Sequence, residues 1–212
     1  MDLELIQKII LYAPPLLLAV MLHEIAHGWV AYKLGDPTAK NSGRLTLNPI
    51  KHVDPFMTII FPGLLILANS PVIFGGAKPV PINPSYFKNI RKGMILVAFA
   101  GPGVNIILAL LSFILFKNYG TFLQAGNYLA TLTYGWLFLS IVINAVLALF
   151  NLFPILPLDG GRILTGILPR NLAIFFSKSE KFGLFLIFLL LYSGVLNSVL
   201  NPILKFIQNN LR

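Results

Sequence analysis

The residues best suited to chemistry in this sequence are His23-Glu24-Ile25-Ala26-His27. On a helix, residues four apart lie on one face. Two imidazoles at that spacing can reach one metal ion, and a glutamate between them stands beside the metal's open position, where it can take a proton from water. The chain has only three histidines, and two are in this motif. Glu24 falls in an otherwise apolar stretch. An ionisable side chain inside a membrane is costly and marks a functional site by default. Burial alone would neutralise such a glutamate, whereas a zinc ion beside it favours the charged form. The competing reading is a structural polar cluster. The third histidine, His52, lies in a polar loop and reads as a solvated side chain rather than a ligand.

A catalytic zinc usually has three protein ligands and a water. The chain has no cysteine, so the third ligand must be His, Asp or Glu. Asp2 and Glu4 lie at the far end of the helix that carries the motif. Asp36-Pro37 reads as a turn, Asp54 as a cap, and Glu180, between Lys178 and Lys181, as half of a surface ion pair. That leaves Asp159, eight residues beyond Asn151 in a segment broken by Pro154 and Pro157. A helix starting at Asp159 would make it an N-cap instead. Irregular backbone at membrane depth is tolerated mainly where it lines a cavity, which favours the ligand. Asn144 reads as a hydrogen-bonding residue between helices. For Asn105, after Gly101-Pro102-Gly103, support of the site is an equal alternative.

The elements that must hold these residues are apolar. The sequence is 57% hydrophobic and 11% charged, against about 45–50% and about 25% for a soluble domain. An all-α polytopic membrane protein follows, a single domain over 1–212 with its core at about 5–170. Spans of about 20 apolar residues are expected at Leu5–Leu34, kinked at Pro14-Pro15, at Gly93–Phe116, at Tyr128–Phe153, and C-terminally at about 182–207. Phe56–Ala68, broken by Pro62-Gly63, reads as a re-entrant segment. Asn41-Ser42-Gly43 followed by the alternating Arg44-Leu45-Thr46-Leu47 predicts a small β-hairpin near the membrane face. If Phe56–Ala68 does not cross, twelve Lys and Arg share one side, leaving only Lys8, Lys117, Lys205 and Arg212 on the other. Positive residues favour the cytoplasm, so the Asp159 face is placed there and both termini outside. The net charge of +9 is spread between the spans and argues against nucleic-acid binding. No cleavable signal peptide is expected.

The order of blocks resembles the site-2 protease family of intramembrane zinc metalloproteases. The blocks are His23–Gly28, Gly35-Asp36, Ala77-Lys78-Pro79-Val80, Ala100–Asn105 and Asn151–Gly161. The resemblance is to a minimal form without a PDZ or CBS domain. It implies one zinc ion held by His23, His27 and Asp159, with Glu24 as the catalytic base. It also implies that Asn151 binds substrate or stabilises the oxyanion. The implied activity is cleavage of transmembrane segments of single-span membrane-protein substrates, in a bilayer, with the site towards the cytoplasmic face of a prokaryotic plasma membrane. The rival readings are a zinc or cation transporter and a proteolytically inactive homologue that retains substrates.

Overall fold

The computed structural model describes residues 3–60, 64, 76–119 and 128–210. Three long helices form its frame: α1 (Leu3–Lys33), α3 (Ile90–Tyr119) and α4 (Tyr128–Asn151). Between α1 and α3 lies the one-turn helix α2 (Thr38–Asn41). After α4 come α5 (Asp159–Ile167), α6 (Arg170–Ser177), α7 (Gly183–Tyr192) and α8 (Val195–Asn210). The three long helices are long and apolar enough to cross a membrane. Their outward faces carry Leu16, Leu17, Leu18, Ile107, Leu110 and Leu111, all exposed. Helices that are apolar on the outside as well as the inside suit a lipid solvent, because every backbone group is paired within the helix.

In lipid, apolar burial drives helices together only weakly, so close packing and hydrogen bonds between helices matter more. Helices α1, α3 and α4 all touch one another, and α5 rests on α3. Ser112 Oγ donates to Ser140 Oγ at 2.8 Å, tying α3 to α4. Trp136 Nε1 donates to the Ile10 carbonyl at 2.9 Å, tying α4 to α1. Phe116 stacks on Tyr134 at 4.0 Å between ring centroids, in an apolar cluster that Ile207 of α8 completes.

Two expectations need correction. Among the described residues three helices, not four, have the length of a span. The uncharged run that begins at Phe182 is cut at Ser193-Gly194, where Gly194 takes φ +75°. The ten residues of α7 reach only about 15 Å at 1.5 Å per residue, half the hydrocarbon core of about 30 Å. The expected β-hairpin is also absent: no strand occurs among the described residues. Asn41-Ser42-Gly43 does turn, with Gly43 at φ +62°, but the chain then bends into a 3-10 turn at Pro49–Lys51. The alternation at 44–47 has another cause. Arg44 turns inward and donates to the Lys78 carbonyl, while Leu47 is exposed. A side chain makes the tie that a strand ladder was expected to make. Of the expected re-entrant segment Phe56–Ala68, residues 56–60 form a π-helical turn. Residues 61–63 and 65–68 lie outside the described residues.

Candidate active site

α1 carries His23, Glu24 and His27, and the motif's four-residue spacing puts both imidazoles against α3. The tautomer of each ring follows from its partners. Asn105 Nδ2 lies 3.3 Å from the Ala19 carbonyl and 2.7 Å from Asn144 Oδ1, and Asn144 Nδ2 lies 2.8 Å from the Ser140 carbonyl. A backbone carbonyl only accepts, so both amides are fixed in orientation. Asn105 Oδ1 is then the acceptor facing His23 Nδ1 at 2.5 Å. The Val97 carbonyl faces His27 Nδ1 at 2.6 Å. Each ring therefore donates through Nδ1, and in a neutral ring that leaves a lone pair on Nε2.

Those lone pairs converge. The two Nε2 atoms are 3.0 Å apart, and Asp159 Oδ2 lies 3.2 Å from His23 Nε2 and 3.3 Å from His27 Nε2. Asp159 Oδ2 is buried with no hydrogen-bond donor, and all three side chains are buried. Three buried lone-pair atoms facing one another without a proton repel, and a cation between them removes the repulsion. The three ligand atoms lie within 4.8 Å of one another. The backbone leaves room as well. A Cβ on Gly101 of α3 would overlap Nε2 of both His23 and His27. A two-histidine, one-carboxylate set with space beside it suits zinc with an open coordination position.

Asp159 reaches this point because of what surrounds it. It is the first residue of α5, after Leu158 at the N-cap, and it makes no capping hydrogen bond. The chain from α4 to α5 doubles back so tightly that a Cβ on Gly160 would strike the carbonyls of Leu152 and Phe153. A Cβ on Gly161 would strike the backbone of Ile155 and Leu156. Only glycine fits behind Asp159.

Glu24 lies on the same cleft of about 150 Å³, which Val80, Pro157 and Asn151 also line. Its Oε2 accepts from the Val80 N–H at 2.9 Å. That contact is visible only in hindsight: in Pro79-Val80-Pro81, only Val80 has an N–H to give. Asn151, the last residue of α4, reaches the cleft wall, but its Nδ2 donates to the Leu147 carbonyl at 3.0 Å. An amide has two N–H donors, so one is left for another partner.

The remaining candidates are structural. His52 is buried rather than solvated; its Nε2 donates to the Thr46 carbonyl at 2.8 Å, away from the metal ligands. Asp36 is fully buried and accepts from the Thr38 N–H and hydroxyl and from the Asn83 N–H, which pins the end of α1 to the segment leading into α3. Asp54 caps the turn at Pro55–Ile60 by accepting from the N–H groups of Phe56 and Met57.

Comparison with known proteins agrees with this geometry. The chain is 43% identical to YwhC of Bacillus subtilis (strain 168) over 90% of its own length and 84% of that protein. It is 28% identical to Rip2 of Mycolicibacterium smegmatis over 85% of its length and 66% of that protein. It is 27% identical to MJ0392 of Methanocaldococcus jannaschii over 78% of its length and 36% of that protein. The words zinc metalloprotease stand in the names of all three. No solved structure matches the chain at a significant level. The sequence profile of peptidase family M50 matches residues 12–130 and 120–193, and the chain therefore belongs to that family.

Proposed function

We propose that this metalloprotease of family M50 hydrolyses peptide bonds within or beside the transmembrane segments of membrane-protein substrates, with His23, His27 and Asp159 as the ligands of its zinc. The observation that carries the ligand assignment is the buried meeting of three ligand atoms, two of them the Nε2 atoms of rings whose Nδ1–H groups face Asn105 and Val97. When bound, zinc supplies Lewis acidity that polarises a carbonyl and makes water more acidic.

The protein's own groups do the rest. Glu24 takes the proton of the attacking water and passes it to the leaving amine. Glu24 can keep the Val80 N–H on Oε2 while its other oxygen takes the proton, since a carboxylate accepts at both oxygens. Asn151 offers its remaining N–H to the scissile carbonyl as charge develops there. Helical substrates hide their carbonyls, so cleavage requires local unwinding. Of residues 77–83, in no helix or ladder, Lys78, Val80 and Asn83 already give their N–H groups to His52, Glu24 and Asp36, so pairing with the unwound stretch falls to the remaining backbone groups. The site faces the cytoplasm in this reading, as the Lys and Arg distribution favours.

Purified protein with zinc and a single-span substrate in detergent tests the proposal, wild type beside Glu24→Gln. Cleavage should fall by about 10²–10⁴-fold in the variant while zinc content stays at one per chain. Equal cleavage by both proteins, or none by wild type with zinc bound, overturns it.

A further inference from the structure

A second cavity, of about 820 Å³, lies outside the metal cleft, between the start of α3, α5 and α6. Its volume is that of a small-molecule site, about 300–1,000 Å³, whereas the metal cleft is far smaller. Ile90, Met94, Leu156, Ala173 and Ile174 give it apolar walls. Three arginines, Arg91, Arg162 and Arg170, line it, against one acidic residue, Glu180. Among the described residues none of the three has a carboxylate partner, and Arg91 has only the Leu168 carbonyl. Arg91 and Arg170 are exposed and Arg162 is partly buried, so the cluster, which lacks a paired counter-charge, attracts anions at a membrane face.

The surroundings indicate where that counter-charge comes from. α6 is amphipathic and exposes Leu172, Ile174 and Phe175, as a helix lying at the boundary of headgroups and acyl chains does. Ile90 and Ile174 are half exposed, so the cavity's apolar walls continue onto the outer surface. A molecule from the bilayer can enter along them without crossing water. Basic pockets between helices at the cytoplasmic side select anionic headgroups.

We propose that this cavity holds one anionic phospholipid, its phosphate among Arg91, Arg162 and Arg170 and an acyl chain along Met94, Leu156 and Ala173. Met94 and Arg162 line the metal cleft as well. The lipid therefore lies against the wall of the catalytic site, and its presence bears on how substrate approaches from that side. The assignment does not depend on the zinc chemistry, and its test reads binding alone.

The full chain, purified in detergent, is exchanged into nanodiscs of phosphatidylglycerol and phosphatidylcholine in equal parts, and retained lipid is counted by native mass spectrometry. One phosphatidylglycerol per chain should persist in preference to phosphatidylcholine. Arg170→Gln should weaken retention about fivefold, the effect of one basic residue near a membrane surface, and Arg170→Lys should restore most of it. Ala173→Trp, or Ile174→Trp should the first variant not fold, should displace the lipid by filling the cavity, with zinc content unchanged. Equal retention of the two lipids, or retention untouched by both the Arg170 and the tryptophan variants, overturns the proposal. So does displacement by millimolar inorganic phosphate, which would make this a free-anion site. Displacement by an acidic substrate peptide would make it a substrate subsite and overturns it too.

Discussion

At the scale of single residues, the proposed metal site depends on groups that would never touch the metal. Two backbone carbonyls, of Ala19 and Ser140, orient Asn105 and Asn144, and Asn105 sets the His23 tautomer. Replacing Asn105 with leucine leaves the His23 Nδ1–H unpaired and frees the ring to protonate Nε2, which cannot then bind metal. Zinc affinity, measured by competition with a chelator, should fall about 10–100-fold, the usual cost of losing such a partner. Asn105→Asp keeps the acceptor but loses the donor that faces the Ala19 carbonyl and Asn144 Oδ1, so its affinity should lie between those of wild type and the leucine variant; equal affinity in all three proteins would show that Asn105 does not set the tautomer. Gly101 makes a separate point. Alanine favours a helix interior over glycine by about 1 kcal/mol, yet its Cβ would overlap both Nε2 atoms. Making room means turning two buried, hydrogen-bonded imidazoles, so Gly101→Ala should lose zinc and lower the melting temperature as well. A variant with full zinc content would mean that the ligand atoms meet elsewhere.

At the scale of elements, the sequence points to three side chains that the structure brings together, while two of the scaffold elements it suggests do not form. The histidine pair is local, four residues on one helix, so spacing alone discloses it. Asp159 was reachable by elimination, because the chain has seven acidic residues and no cysteine. The hairpin and the last span misled for physical reasons. Alternation at 44–47 has the pattern of a strand, but one inward arginine produces the same pattern. An uncharged run has the pattern of a span, but Gly194 at positive φ ends a helix whatever the hydropathy. The contact between Val80 and Glu24, 56 residues apart, has no signal in either segment alone. A pair of glycine variants separates the two roles glycine plays here. Gly160→Ala puts a methyl group into fixed backbone and must move the start of α5, so zinc should be lost along with stability. Gly194→Ala meets nothing within 4 Å and carries only the strain of its backbone angle, about 1–2 kcal/mol, so zinc should stay bound. The same zinc content in both variants would disconnect the α4–α5 turn from the metal site.

At the scale of the whole molecule, the proposed orientation in the bilayer rests on three helices and a charge count. Three crossings put the end of α1, the start of α3 and all of α5 and α6 on one side, provided the segment after Pro55 does not cross. Of the four basic residues expected on the opposite side, Lys8 and Lys117 sit at the ends of long helices. Lys205 lies on α8, beyond the break at Gly194. Only Lys205 and Arg212 depend on how the broken C-terminal segment lies, so the asymmetry survives the loss of the fourth span. Because the chain has no cysteine, any introduced one is a unique label. Ser85, Lys178 and Asn118 are exposed, the first two at the face that carries the site and the third at the far end of α3. In intact cells a membrane-impermeant maleimide should label Asn118→Cys and spare Ser85→Cys and Lys178→Cys; in inverted vesicles the pattern should reverse. Labelling of Ser85→Cys from outside, with Lys40→Cys, exposed on α2, still protected, would mean that the segment between α2 and α3 crosses the bilayer. Asp159 would then approach from the opposite face to the end of α1, which the distances of 3.2 and 3.3 Å to the two imidazoles do not allow for helices of this length. Orientation and metal site thus stand on one geometry, and labelling at these two positions tests both.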